Sequence, residues 1–97
     1  MLVTLTGSAQ ELIPQNMMRK SLVIQNVDTS ITVYVKRERP GVTSVSASDF
    51  DLRLPPGGSV ALNSFLDGKE AIEDRYTVIP ASGTPQVAVF ETEENKR

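Results

Sequence analysis

The chain has 97 residues, a formal net charge of −2, and neither cysteine nor histidine, so it holds one domain without disulfides. The missing residue types exclude zinc sites with the usual cysteine or histidine ligands, catalytic triads that need histidine, and cysteine nucleophiles. A net negative chain also argues against a nucleic-acid partner, because contact with phosphates needs a concentrated positive field.

The first 18 residues alternate only weakly between apolar and polar side chains. Apolar residues at positions 2, 3, 5, 12 and 13 predict two short extended pieces, which Gly7 separates. Pro14 disfavours a central position in a sheet, because proline cannot donate a ladder hydrogen bond. We therefore expect residues 1–18 to form an extended N-terminal arm. We expect no signal peptide and no membrane partner, because the start lacks a charged n-region and no apolar run approaches about 18 residues.

Six later segments have the alternation and composition of β-strands. They are Ser21–Val27, Ile31–Arg37, Asp49–Leu54, Ser59–Asn63, Arg75–Ala81 and Gln86–Glu91. The clearest alternation points Ile31, Val33 and Val35 inward. The short polar connection 28–30 predicts that the first two segments form an antiparallel hairpin. Residues 42–48 fit either an edge strand or a loop, and residues 65–74 fit one helical turn.

A Pro-Pro-Gly-Gly sequence at 55–58 predicts a sharp corner between two strands. Proline fixes φ, and glycine permits the positive φ that such corners use. About seven short strands with regularly spaced turns indicate an all-β domain, either a small antiparallel β-sandwich or a flattened barrel. We place that domain at residues 19–91 and expect residues 92–97 to form a polar C-terminal tail.

The remaining polar residues do not form a recognisable catalytic or metal-binding pattern. Asp49 and Asp51 share one face of a predicted strand, but a glycosidase needs two carboxyl groups across a cleft, which so small a chain hardly builds. The acidic residues lack the EF-hand spacing for calcium. A basic stripe beside Tyr34 is offset by acids elsewhere. We therefore expect no enzyme activity, no metal and no cofactor, and leave a carbohydrate-binding or adhesion module as an alternative.

The order of the strand signals resembles a family of small β-sandwich virion proteins of tailed bacteriophages. The resemblance rests on the runs RKSLVIQNVDTSITVYVKRE, LPPGGSVAL and RYTVIPASGT. These match a basic pair before a strand that ends in Gln-Asn, a strand centred on Tyr-Val, a PGGS corner, and a closing hairpin with a Ser-Gly turn. The likeness covers residues 10–91.

The resemblance implies a capsid decoration, or cement, protein that binds the outer head shell as a homotrimer and stabilises it. The implied location is the virion, assembled in the host cytoplasm, and the implied partner is the major capsid protein or another virion protein. A head–tail, collar or tail/fibre attachment component is the alternative within this class. We expect the arm and the start of the first long strand to make the contact, through Leu2, Val3, Leu5, Leu12, Ile13, Met17, Met18, Arg19 and Lys20.

Overall fold

A computed structural model of the chain describes residues 1–63 and 72–93. These residues form eight strands. They are β1 (Leu2–Thr4), β2 (Gln10–Ile13), β3 (Arg19–Asn26), β4 (Val33–Glu38), β5 (Leu52–Leu54), β6 (Ser59–Asn63), β7 (Arg75–Pro80) and β8 (Gln86–Glu93). The all-β class predicted from the sequence is confirmed. Each of the six predicted strand segments contains one of the strands β3–β8 or overlaps most of it.

The strands form two four-stranded antiparallel sheets. Sheet I has the order β1-β8-β3-β6, and sheet II has the order β2-β7-β4-β5. One cluster of buried apolar side chains draws on both sheets, including Leu22 and Ile24 from sheet I and Val33 and Val35 from sheet II. Two antiparallel sheets that each bury one face against the other make a β-sandwich.

The prediction that Val33 and Val35 point inward is confirmed, while Ile31, the third residue of that prediction, is partly buried and lies before β4. Val33 and Val35 are fully buried, while Tyr34 between them is only partly buried. On β8, Val87 and Val89 are buried and Phe90 is exposed. The pattern succeeds because successive side chains on a strand point to opposite faces.

The predicted hairpin of the first two long strands is wrong. β3 pairs with β6 and β8, whereas β4 pairs with β5 and β7 in the other sheet. The Asp28 carboxylate accepts hydrogen bonds from the backbone N–H groups of Ser30 and Ile31, both at 2.8 Å. These bonds fold the connection into an arch between the sheets, which a linker of this length permits as readily as a hairpin.

The closing pair is also an arch rather than a hairpin. β7 belongs to sheet II and β8 to sheet I. In fact β4 and β5 are the single pair of consecutive strands, among those described, that are neighbours in one sheet. All other connections between consecutive strands pass from one sheet to the other, so that both sheets close around the same core.

The corner predicted at residues 55–58 joins β5 in sheet II to β6 in sheet I. Gly57 has a φ of +77°, which a side chain other than glycine's rarely adopts. A Cβ on Gly58 would lie 2.8 Å from Cδ of Pro55. Both glycines are therefore required by the tight path of the backbone.

The N-terminal segment is part of the sandwich, which corrects the prediction of an arm over residues 1–18. β1 pairs with β8 along one edge of sheet I, and β2 pairs with β7 along one edge of sheet II. Leu5, Leu12 and Ile13 are at most 5% exposed and belong to the core. The weak alternation concealed this because the two strands are only three and four residues long.

The loop after β4 and the end of β8 also differ from, or decide between, the predictions made for them. Residues 42–48 form a loop with one isolated bridge between Ser46 and Asp49. β8 continues to Glu93, past the predicted strand end at residue 91. Most of the predicted helical turn at 65–74, and the end of the predicted tail, lie outside the described residues.

Candidate interaction surface

The outward positions of sheet I that pair across its strands carry no charged side chain; the exposed Lys20 lies at the register irregularity between Arg19 and Ser21 of β3 and is not one of them. Residues that pair across antiparallel strands share a face, so the register defines this surface, which we call the neutral face. It consists of Leu2, Thr4, Ser21, Val23, Gln25, Ser59, Ala61, Asn63, Gln86, Ala88, Phe90 and Thr92. None of the twelve is buried, although 23% of all residues in the chain are charged.

The middle of the neutral face is apolar. Phe90 is 63% exposed and lies on the central strand β8, opposite Val23, which in turn lies opposite Ala61. In the adjacent row Leu2, 56% exposed, lies opposite Ala88. These five residues form an apolar stripe, and hydroxyl and amide side chains surround it. Depletion of charge around an aromatic residue is the composition found in the core of protein–protein interfaces.

The outward side of sheet II has the opposite character. It carries Glu11, Lys36, Glu38 and Arg75, and the loop between β4 and β5 is bonded to it. The Arg75 guanidinium is paired with the Glu11 carboxylate, Nε to Oε1 at 2.6 Å. It also donates to the Arg39 carbonyl at 3.0 Å, and to the Val42 carbonyl. This side of the sandwich is therefore covered and cross-linked by its own chain.

Glu38 holds the loop between β4 and β5 against the outward side of sheet II. Its side chain accepts hydrogen bonds from the backbone N–H and hydroxyl of Ser44 and from the hydroxyl of Thr77. Burial alone would raise the pKa of the Glu38 carboxyl, but these hydrogen bonds, with a smaller contribution from the Lys36 charge, lower the pKa to about 2. A carboxylate held ionised in this way fixes the loop and is not available as a general acid.

The residues predicted to contact a partner are divided by the structure. Leu5, Leu12, Ile13 and Arg19 are buried and therefore cannot reach a partner in the folded protein. Val3 is partly buried and packs against the core. The remaining members are exposed. They are Leu2, which belongs to the neutral face, and Met17, Met18 and Lys20, which lie together in sequence where the chain enters β3.

Arg19 has an internal role instead of the predicted external one. Its guanidinium pairs with Glu91, Nε to Oε2 at 2.5 Å, and donates to the backbone carbonyls of Pro14, Ile72 and Asp74. The buried guanidinium therefore has partners for its donors within the chain. It fastens the segment before β3 to the segment before β7.

Sequence reasoning missed the centre of the neutral face. The sequence predicts a strand that contains Phe90, but nothing in it links this residue to Val23 or Ala61, which become its neighbours only through the register. The available signal was that β3, β6 and β8 all carry uncharged residues at their outward positions. That signal becomes visible only when the three strands are known to be neighbours.

The described residues contain neither a group of acidic side chains suited to a metal ion nor a buried polar side-chain atom without a partner. A cleft of about 300 Å³ beside β4 is lined by charged residues, but Arg37 and Asp74 within it pair with each other at 3.1 Å. Within residues 1–63 and 72–93, no helix is long and apolar enough to cross a membrane. The neutral face is the strongest candidate for a functional surface.

Comparisons with known proteins assign no family to the chain. A scan against protein-family models, a search of curated proteins and a search of solved structures each found no match. A function for the chain is therefore inferred from its surface chemistry together with the resemblance of its sequence to phage modules.

Proposed function

We propose that the protein is a non-enzymatic structural component of a phage virion, namely a capsid decoration protein that binds the outer head shell and stabilises it. The observation that carries the proposal is the neutral face, an exposed, uncharged sheet surface with Phe90 at its centre. Such a surface suits contact with another protein surface better than it suits exposure to water. The resemblance to phage sandwich modules indicates that the contact is made in a virion.

The mechanism requires binding and no chemistry. A protein that binds the assembled shell but not the free subunits stabilises the shell by mass action. Many copies on one lattice add modest contacts into a large total effect. We place the contact with the major capsid protein, or another virion protein, at the exposed residues Met17, Met18 and Lys20. Methionine side chains adapt to irregular surfaces, and the lysine can pair with an acidic residue of the shell.

Mass spectrometry of purified virions tests the proposal directly. We expect many copies of the chain in each particle, and we expect a label on the chain to locate it on the head. Few copies at the neck or fibres would favour the alternative of a head–tail, collar or tail/fibre attachment component. Absence from washed particles would overturn both.

A binding experiment tests the contact residues. Particles that lack the protein should release their DNA at a lower temperature than complete particles. Adding the protein should raise this temperature again. Met18→Glu should weaken this recovery, because it adds a charge to an apolar contact. Val42→Glu is the matched control, since Val42 and Met18 are each 37% exposed and Val42 lies on the loop over sheet II. Equal loss in both variants would refute the assignment of this contact.

The second candidate, a carbohydrate-binding or adhesion module, is favoured by one feature of the same surface. Phe90 is an exposed aromatic ring with amide and hydroxyl side chains such as Gln25 and Thr92 on the same face, a combination that can bind the faces and hydroxyls of a sugar. Binding of glycans in solution that is lost in Phe90→Ala would support this candidate. The decoration proposal expects no glycan binding.

A further inference from the structure

We propose that the neutral face pairs with the same face of a second copy, giving a two-fold dimer in which sheet I of one molecule packs on sheet I of the other. Phe90 lies near the centre of this contact because it occupies an inner row of a central strand. The inference concerns the protein in solution and holds whether or not the final assembly is a virion.

The distribution of charge is the first argument for a second copy. In a two-fold contact the same patch meets itself, so a charge close to the axis faces an identical charge. None of the twelve residues of the neutral face is charged. The outward side of sheet II, with Glu11, Lys36 and Arg53, would place such charges against their own copies. The chain thus has a surface compatible with self-pairing on one side of the sandwich.

A different protein is a less suitable partner for the neutral face than a second copy. Charged groups of a different partner would lose water against the neutral face without gaining an opposite charge, which is unfavourable. The face also provides no charge to steer or select such a partner. The partner that matches the neutral face is another neutral sheet surface with hydroxyl and amide groups at its margin. A second copy of the chain has such a surface.

The area of the face sets the expected strength. The twelve outward residues lie on strands about 4.8 Å apart and in rows about 6.8 Å apart, which gives roughly 400 Å² of sheet per molecule. Twice this area is below the roughly 1,200 Å² of stable complexes and in the range of weak ones. We therefore expect a concentration-dependent dimer with a dissociation constant on the order of 10–100 µM.

The neutral face is exposed in the single molecule. Phe90 and Leu2 are 63% and 56% exposed, so the described segments do not cover them. Two sheets that pack face to face lie about 10 Å apart. At that distance the Phe90 ring of each copy can enter the apolar stripe of the other, between its Val23 and Ala88 positions.

Sedimentation equilibrium over about 5–500 µM, a range that brackets the expected constant, measures the association. The mass should rise from 10.6 kDa toward twice that value. Phe90→Lys should remain a monomer because it places two lysines at one contact. Val42→Lys, the same change at an exposed apolar residue of the other side, should associate as the wild type does. Circular dichroism should show both variants folded.

Cross-linking tests the symmetry of the contact. The chain has no cysteine, so Ala88→Cys provides one thiol on the neutral face, and Ala47→Cys provides an exposed one on the loop over sheet II. A short bis-maleimide should join copies of Ala88→Cys and not copies of Ala47→Cys. Adding Phe90→Lys to Ala88→Cys should abolish the product.

Several results would overturn the inference. A wild-type mass that stays at 10.6 kDa throughout, association of Phe90→Lys equal to that of the wild type, or a mass that settles at three times the monomer would each do so. The last result would instead agree with the homotrimer that the resemblance implies. Absence of the protein from virions would leave this inference intact, so the two proposals fail separately.

Discussion

Arg19 and Glu91 form an ion pair between the neighbouring strands β3 and β8 in which the two partners have different surroundings. The Arg19 side chain is fully buried, while that of Glu91 is 36% exposed. The guanidinium also donates to three backbone carbonyls, at 2.7 Å to Pro14 and Ile72 and at 3.0 Å to Asp74. The arginine therefore holds three segments together, whereas the glutamate contributes one partly solvated contact.

This asymmetry predicts unequal effects of removing the two partners. Arg19→Met should lower the free energy of unfolding by about 3 kcal/mol, because it leaves three carbonyl groups without their donor. Glu91→Gln should cost about 1 kcal/mol or less, since its carboxylate is partly exposed. Urea denaturation measures both. Lys20→Met, at the exposed neighbouring position, is the control. A loss from Glu91→Gln as large as that from Arg19→Met would contradict this account.

The second prediction concerns the N-terminal strands. Deleting residues 1–13 should unfold the domain, because it removes Leu5, Leu12 and Ile13 from the core together with two edge strands. Loss of one such residue costs about 2–5 kcal/mol, and the total stability of a domain is about 5–15 kcal/mol. The NMR spectrum of the deletion variant should lose its chemical-shift dispersion.

A pair of point variants makes the same test without removing chain. Leu5→Ala, at a residue 1% exposed, should cost about 2–5 kcal/mol. Leu2→Ala, at a residue 56% exposed, should cost under about 0.5 kcal/mol. If the deletion variant keeps its chemical-shift dispersion, or if Leu5→Ala and Leu2→Ala lower the free energy of unfolding equally, residues 1–13 form an arm and are not part of the core.

Alternation along the chain was sufficient to predict that Val33 and Val35 point inward. It also separates the two faces of the other long strands, because the period of a strand is fixed by its geometry. The sheet to which each strand belongs is not a local property. The connection between β3 and β4 suits a hairpin or an arch equally, and the choice depends on partners far away in the sequence.

The role of Arg19 and the candidate surface were harder to predict for a related reason. Arginine is ordinarily exposed, so Arg19 was placed at a partner contact, and its acceptors at Pro14, Ile72 and Asp74 become neighbours only after folding. The neutral face likewise depends on the register of β8 against β3. Neither feature has a signature in any single segment.

The third prediction is a pH dependence that Glu38 imposes. Its pKa is about 2 in the folded protein against an ordinary value of 4.5, so the folded state favours the ionised form. The resulting stabilisation is complete above pH 4.5 and is lost as the pH falls from 4.5 toward 2. Glu38→Gln should therefore be less stable than the wild type at pH 7.

The difference between the two proteins should shrink as the pH falls. Urea denaturation at pH 7, 5, 4 and 3 measures it. Glu93→Gln, at an exposed residue at the end of β8, serves as the matched substitution with which the change for Glu38→Gln is compared. A difference between wild type and Glu38→Gln that does not change with pH would show that the Ser44 and Thr77 hydrogen bonds do not hold the carboxylate ionised.

The fourth prediction concerns Asn26, at the end of β3. This residue is fully buried, and its side-chain amide donates to the carbonyls of Ile31, Leu54 and Pro55 at 2.7, 3.0 and 3.2 Å. Asn26→Asp keeps the size of the side chain but turns the donor toward these carbonyls into an acceptor. We expect a loss of about 3–5 kcal/mol at pH 7, the cost of an uncompensated buried charge.

The loss should be smaller at pH 3 than at pH 7. Burial beside carbonyl oxygens raises the pKa of the new aspartate in the folded protein, and its neutral form regains one O–H donor. A raised native pKa means that stability falls as the pH rises above the unfolded value of about 3.9. Gln15→Glu, the equivalent change at an exposed site, should be nearly neutral at both pH values. If Asn26→Asp costs no more than this control, the amide does not hold the arch between β3 and β4 to the corner after β5.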